Sequence, residues 1–292
     1  MPEGLSEQSA NNTFALHKRT NLSLFESIFL EESNHGIKII SSIQKSTMKK
    51  FKQSIYDIVN DFEKIELDTS IEKPKVGIVG EVLIKYHPFG NNFVADLLEK
   101  EGAEVVLPDF MGFIKFMATH KVTFNSLLRT NPIVAKISKA AISLIDILEK
   151  DSKEALGKSK KDYLPPCNIW HLENTVKDIL SIGNQTGEGW FLTAEMIEYI
   201  EHGIPNIICV QPFACLPNHV VGKGVIKTIR EKYPNANISP VDYDPGASES
   251  NQTNRIKLLM TVAKDNLKRE KLHKEGIEKE NKETSNVNYS NK

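Results

Sequence analysis

Residues 209–219 read CVQPFACLPNH, placing two of the chain's three cysteines beside two prolines, an Asn and a His. Thiols and an imidazole at this spacing suit either metal ligation or proton movement, but each also has a packing reading. Cys209 falls inside the apolar run Ile207-Ile208-Cys209-Val210, where a buried thiol is common. Cys215 lies in a Pro-bounded loop past that run, a position suited to a thiolate ligand, and there the two readings stay level. His219 could ligate, move a proton or cap the following helix. Cys167, in YLPPCNIW, has no partner at ligand spacing, and nothing here matches the C-x2-C pairs of a zinc ribbon or a ferredoxin.

A second candidate is GNQTGEGW, residues 183–190. Gly187, Glu188 and Gly189 at a helix start could expose backbone N–H groups to an anion. In the alternative, both glycines only permit a tight turn, with Glu188 or Thr193 as the cap. Asp242 and Asp244 in DYDPGASE could bind a hard cation, although Asp-Pro-Gly after a strand is commonly turn chemistry, with Ser248 or Ser250 then capping the helix. Arg255 could pair with a carboxylate or phosphate, and His87 is open between site and structure. No G-x-G-x-x-G and no G-x-x-x-x-G-K-[ST] occurs, and no nucleophile has a local base cue.

The elements that position these residues follow a βαβ grammar. Val76 to Ile84 reads as a strand covered on both faces, Asn92–Lys100 as a helix, and Glu104–Pro108 as a second strand. Residues 109–160 are helical in pattern, with KDSKEALGKSKKD a polar connector. Ile179–Ile182 reads as a short strand, Phe191–Glu201 as a helix, Ile207–Val210 as a strand, and Val221–Lys232 as a helix. A last strand near Asn237–Val241 leads to a helix ending about Lys268. The expected fold is therefore α/β: a parallel-sheet, flavodoxin-like or Rossmann-like three-layer core with an N-terminal helical segment. Residues 1–72 form a polar segment with one amphipathic helix carrying Met48, Phe51, Ile55, Ile58, Val59 and Phe62. Residues 73–268 form the α/β domain, and 269–292 a disordered polar tail. KYHPFGNN, GNQTGEGW, QPFACLPNHVVGKG and DYDPGASESNQTNR each follow a predicted strand, so all four should meet at the carboxyl edge of the sheet, where ligands bind in such folds.

Composition narrows the partners. Across 292 residues the net charge is −1, which leaves no electrostatic footprint for nucleic acid or an anionic membrane. No apolar run reaches membrane-spanning length, and the N-terminus lacks the apolar region of a secretory signal. Three cysteines make no disulfide framework, so a reducing cytoplasm is the expected compartment.

From about Lys75 to Lys268 the four motifs, in this order, resemble the final region of the 2-hydroxyacyl-CoA dehydratase activator-related proteins, relatives of the 2-hydroxyglutaryl-CoA dehydratase and benzoyl-CoA reductase subunits. The resemblance implies oxygen-sensitive iron–sulfur chemistry, with a [4Fe–4S] cluster receiving one low-potential electron from an ATP-dependent activator. It implies Cys215 as the first cluster ligand and Cys209 as the second, with Gly187, Glu188, Gly189, Asn218 and His219 near the cofactor. An acyl-CoA substrate and a companion dehydratase-like subunit are the implied partners. The family's ATP-binding portion and further cluster cysteines have no counterpart in these 292 residues, and three cysteines cannot fill four ligand positions. The cluster would then take three thiolates and an exogenous ligand or be shared with another chain, or the chain would be a non-catalytic α/β scaffold or interaction module of a larger complex.

Overall fold

The computed structural model of the chain describes residues 49–161, 163–244, 246 and 248–289. Its elements run α1 (49–63), β1 (Lys75–Gly80), α2 (Val82–Tyr86), α3 (Val94–Lys100), β2 (Glu104–Val106), α4 (Phe110–Leu128), α5 (Pro132–Gly157), α6 (Ile169–Val176), α7 (Gly189–Glu201), β3 (Asn206–Pro212), α8 (Leu216–Val221), a 3-10 turn (Lys223–Val225), α9 (Ile226–Lys232), β4 (Asn237–Tyr243) and α10 (Glu249–Tyr289). Two compact units result, one holding residues to Ile65 together with Glu154–Lys161, the other holding Glu66–Lys153 and everything after Lys161. In the smaller unit the polar face of α1 is tied down by Lys52 to Glu154 and by Ser159 donating to Glu63. Met48 lies outside the described residues.

The larger unit is built on a four-stranded, all-parallel sheet of order β2-β1-β3-β4. This is the doubly wound order with its reversal between β1 and β3. Right-handed crossovers then require the connections on the two sides of that reversal to pass over opposite faces. The core follows that rule. Val79, Ile207 and Cys209 face Leu192, Met196, Ile200, Val221 and Ile229 of α7, α8 and α9. Val76, Ile78, Ile208 and Val210 face Val94 and Leu98 of α3 and Ile256, Leu259 and Met260 of α10. Strands covered on both sides explain why β1 and β3 read as unbroken apolar runs rather than alternating ones. A further core packs α4, α5 and α6 on the outer side of α7, through Phe116, Ile142, Ile169, Leu172, Trp190 and Phe191. Helix α7, covered on two sides, is buried along nearly its whole length, and its sequence GWFLTAEMIEYIE shows no polar stripe.

The exposed edge of β4 is blocked. Arg230 and Arg255 donate to the carbonyls of Ile238 and Pro240, and Gln252 to that of Asp242. Pro240 itself presents no N–H, so the edge offers a poor template for another strand.

Several boundaries differ from the sequence reading. The strand expected to reach Ile84 stops at Gly80, because the Glu81 carboxylate accepts the Ile84 N–H and starts α2. Ile179–Ile182 is no strand: the N–H groups of Ile179 and Leu180 both return to the Val176 carbonyl, closing α6 in a tight turn that packs against α7. An apolar run this short has no period that separates strand from turn. The helix expected over Val221–Lys232 is two helices with a 3-10 turn between them, and the polar stretch at 151–157 continues α5. The helix expected to stop near Lys268 extends to Tyr289, so 269–289 is helical and not a structureless tail. Lys and Glu there are strong helix formers whatever their polarity.

Behind the carboxyl edge sits a buried ion pair. Lys85 Nζ reaches both Glu195 oxygens at 2.9 and 3.0 Å, with each side chain at most 5% exposed. Burial pushes the Glu195 carboxyl upward, and the Lys85 charge opposes that rise. Replacing Lys85 by Met strands a carboxylate in the core, so urea denaturation is expected to show a loss of about 3–5 kcal/mol. The double change Lys85→Met with Glu195→Leu is expected to recover most of it. A single variant as stable as the parent would show that the pair does not hold α2 to α7.

Candidate functional site at the carboxyl edge

All four motif loops meet at the carboxyl edge, and specific contacts join each to the next. The Val82 N–H donates to Glu188 Oε1 at 3.1 Å, linking the loop after β1 to the glycine loop. Gly187 lies so close to Pro217 that a Cβ on it would come within 3.0 Å of that ring, linking the glycine loop to the loop after β3. Gln211 and Lys223 donate to the Asp242 carboxylate, linking the loop after β3 to the end of β4. Asn92 donates to Gln252, which donates to the Asp242 carbonyl, closing the circuit back to the first loop.

The glycine loop is built as a turn. Gly187 and Gly189 have φ of 63° and 49°, and a Cβ on Gly189 would sit 2.3 Å from the Asn184 carbonyl oxygen. The first N–H groups of α7 are used within the loop: Gly189 donates to Thr186, Trp190 to Asn184 and Phe191 to Glu188. With those donors occupied and the Glu188 carboxylate buried at the helix start, the loop does not fit the anion cradle that the sequence allowed. Neither proposed cap acts as one. Glu188 turns its carboxylate to Val82, and the Thr193 hydroxyl donates to the Val221 carbonyl.

Cys215 sits at the start of α8, after Ala214 in a left-handed conformation (φ 60°). Its thiol is half-buried and accepts from Asn218 Nδ2 at 3.1 Å. His219 is not aimed at that sulfur. Its Nδ1 lies 2.9 Å from the Cys215 carbonyl oxygen and its Nε2 3.9 Å from Asp242 Oδ1. Asn218 and Gln211 are fully buried, and the carboxamide oxygen of each has no hydrogen-bond partner. Asp242 accepts from Gln211 and Lys223, with His219 Nε2 3.9 Å from it, and so serves the circuit rather than an open cation site. Asp244 is exposed, and Pro245 of the same motif lies outside the described residues. Arg255 is spent on Asn251 and the Pro240 carbonyl, and His87 Nδ1 accepts the Gly90 N–H within its own loop.

The other two cysteines are elsewhere. Cys209 is fully buried among Val79, Leu192, Met196 and Val221, and burial pushes its thiol up to about 12. Its sulfur faces Gly222, where a Cβ would lie 3.1 Å away. Cys167 lies against Gly112 and Phe191, beneath α4 in the helical layer. Its thiol is also raised to about 12, by burial first and then by the nearby Asp109.

A cubane cluster needs three or four thiolates converging on one point. Among the described residues no group of three His, Cys, Asp or Glu side chains could hold a metal ion; Cys209 lies within β3, the Cys167 N–H donates to Asp109 in the loop after β2, and only Cys215 belongs to one of the four motif loops. The residues present do not fit a cluster held by this chain alone. Phe213 and Leu216, on either side of Cys215 in the loop after β3, are 66% and 73% exposed, and Leu83 and Phe89 after β1 are 64% and 78% exposed.

No family model, curated protein or solved structure matches the chain. Among the described residues no helix is long and apolar enough to cross a membrane.

Sequence reasoning missed Lys85, Glu195, Gln211 and Gln252. The available signal was polarity out of place. Glu195 interrupts an otherwise apolar helix and Lys85 an apolar run, and such groups require buried partners. Gly189→Ala is expected to lower stability by about 1–3 kcal/mol in urea denaturation, because the new side chain strains the turn and strikes a carbonyl. An unchanged midpoint would mean that the turn is not held as described.

Proposed function

We propose that this chain is a subunit of an assembly of the 2-hydroxyacyl-CoA dehydratase kind, and that it works by presenting the carboxyl edge of its sheet to a companion dehydratase-like chain. The observation that carries the reading is the circuit of four joined loops, with Phe213 and Leu216 exposed on either side of the half-buried Cys215 and Leu83 and Phe89 exposed in the segment after β1. Large apolar side chains exposed at a ligand edge favour a macromolecular partner over water. The motif resemblance supplies the kind of partner. Cys215 has no base against its sulfur, since His219 is turned to a carbonyl and to Asp242, so the chain brings a docking surface and one thiol rather than a complete catalytic set.

Two measurements test this reading. Co-expressed with the products of the reading frames beside its own, the chain is expected to co-purify with one of them in one-to-one ratio. Phe213→Ser combined with Leu216→Ser, both at exposed positions, is expected to weaken that complex at least tenfold without changing thermal stability. Anaerobic treatment of the isolated chain with ferrous iron and sulfide is expected to leave it colourless. If the chain alone took up iron and sulfide and lost them in Cys215→Ser, the proposal would be wrong, because the chain would then hold a cluster by itself.

A further inference from the structure

The carboxamide of Asn218 is only half used. Its Nδ2 donates to the Cys215 sulfur at 3.1 Å, while its Oδ1 is buried and has no hydrogen-bond partner. The residue is fully buried, so the carboxamide cannot swing into bulk water to complete itself. A buried acceptor without a donor is costly, and such groups mark places where another state of the site supplies the missing partner. The thiol beside it is half-buried, at the start of α8, in a segment that also carries the exposed Phe213 and Leu216. The thiolate is the attacking form of a cysteine, and Nδ2 is a donor aimed at the atom that carries its charge. What Oδ1 lacks is an O–H or N–H, and one step of sulfur oxidation adds an O–H to the sulfur.

We infer that Cys215 is a site of reversible oxidation by hydroperoxides, with Asn218 as the positioning residue that holds the product, a sulfenic acid. In that product Nδ2 stays on the sulfur side and Oδ1 accepts from the new S–O–H. With hydrogen peroxide, the thiolate sulfur attacks one peroxide oxygen and forms an S–O bond. The O–O bond breaks and its electron pair leaves on the other oxygen. That oxygen takes up the proton the thiol gave to solvent and departs as water. Sulfur is oxidised by two electrons and the peroxide is reduced by two. The other thiols do not compete for the oxidant, because Cys209 lies in the core and Cys167 in the helical layer, where burial raises each to about 12. A sulfenic oxygen beside Phe213 and Leu216 sets a polar group into the edge proposed for docking. That consequence rests on the docking reading; the oxidation itself does not.

The test uses the isolated full chain, dilute hydrogen peroxide and an excess of dimedone, which traps sulfenic acids, with each cysteine followed by mass spectrometry. The adduct at Cys215 is expected to form about fivefold or more faster in the native chain than in the same chain unfolded in urea. Half-burial alone would slow the native thiol, so a native rate equal to or below the unfolded one overturns the inference. Equal labelling of Cys209 in the native chain overturns it as well. Asn218→Ala is expected to remove the native advantage, while alkylation of Cys215 by iodoacetamide, which adds no O–H, stays within about twofold of the parent. A folded Asn218→Ala chain that keeps the parental peroxide rate overturns the role of Asn218. Should that variant not fold, the native and unfolded rates of the parent still decide.

Discussion

Four strands that all run one way must all end at one edge, and the reversal of order between β1 and β3 sends their connections over opposite faces. Everything else about this chain depends on that constraint. It gathers the loops after β1, β3 and β4, which the glycine loop joins at the amino end of α7, and it leaves the opposite edge with none of the four motifs. A parallel sheet cannot keep one face wet, so β1 and β3 are apolar throughout and contribute almost no chemistry of their own. Polar function is confined to where the strands stop.

At that edge the polar residues mostly hold one another. Glu188 accepts a backbone N–H, Asp242 gathers Gln211, Lys223 and His219, and Asn92 and Gln252 complete the circuit. Single hydrogen bonds of this kind contribute about 1 kcal/mol each, but a buried member left unpaired costs more. A closed circuit therefore fixes the loops relative to one another more firmly than its separate contacts suggest. Beneath it, the Lys85–Glu195 pair ties α2 to α7. Asn218 and Gln211 remain the departures, each with a buried carboxamide oxygen that has no partner. They lie beside Cys215 and Asp242, the part of the edge where the chain is least self-satisfied.

How much of this was legible depends on which physical signal each residue carried. The convergence of the loops after β1, β3 and β4 followed from strand grammar, whereas the glycine loop follows no strand and reaches the edge only through the amino end of α7, which the structure shows. The packing reading of Cys209 also followed from strand grammar, since a thiol between Ile208 and Val210 on a doubly covered strand has nowhere to go but the core; the second-ligand role that the motif resemblance implied for it does not fit that burial. The glycine loop was legible as a choice but not as an answer: only the donors' destinations show that its N–H groups are consumed internally. Ile179–Ile182 misled because four apolar residues fit a strand and a buried turn equally well. The partnership of Lys85 with Glu195 spans 110 residues and has no local trace beyond two charges in apolar company. The α10 extension was hidden by composition, because a polar Lys/Glu stretch reads as disorder and as exposed helix alike.

The central claim is that the Cys215 sulfur stands at the working edge while that of Cys209 is packing. Alkylation of the native chain under reducing conditions, followed residue by residue by mass spectrometry, tests it most directly. The account requires Cys215 to react at a rate independent of added denaturant, with Cys209 modified only as fast as the whole fold opens. Cys209 reacting as readily as Cys215 in the folded chain, or Cys215 protected until unfolding, would contradict it.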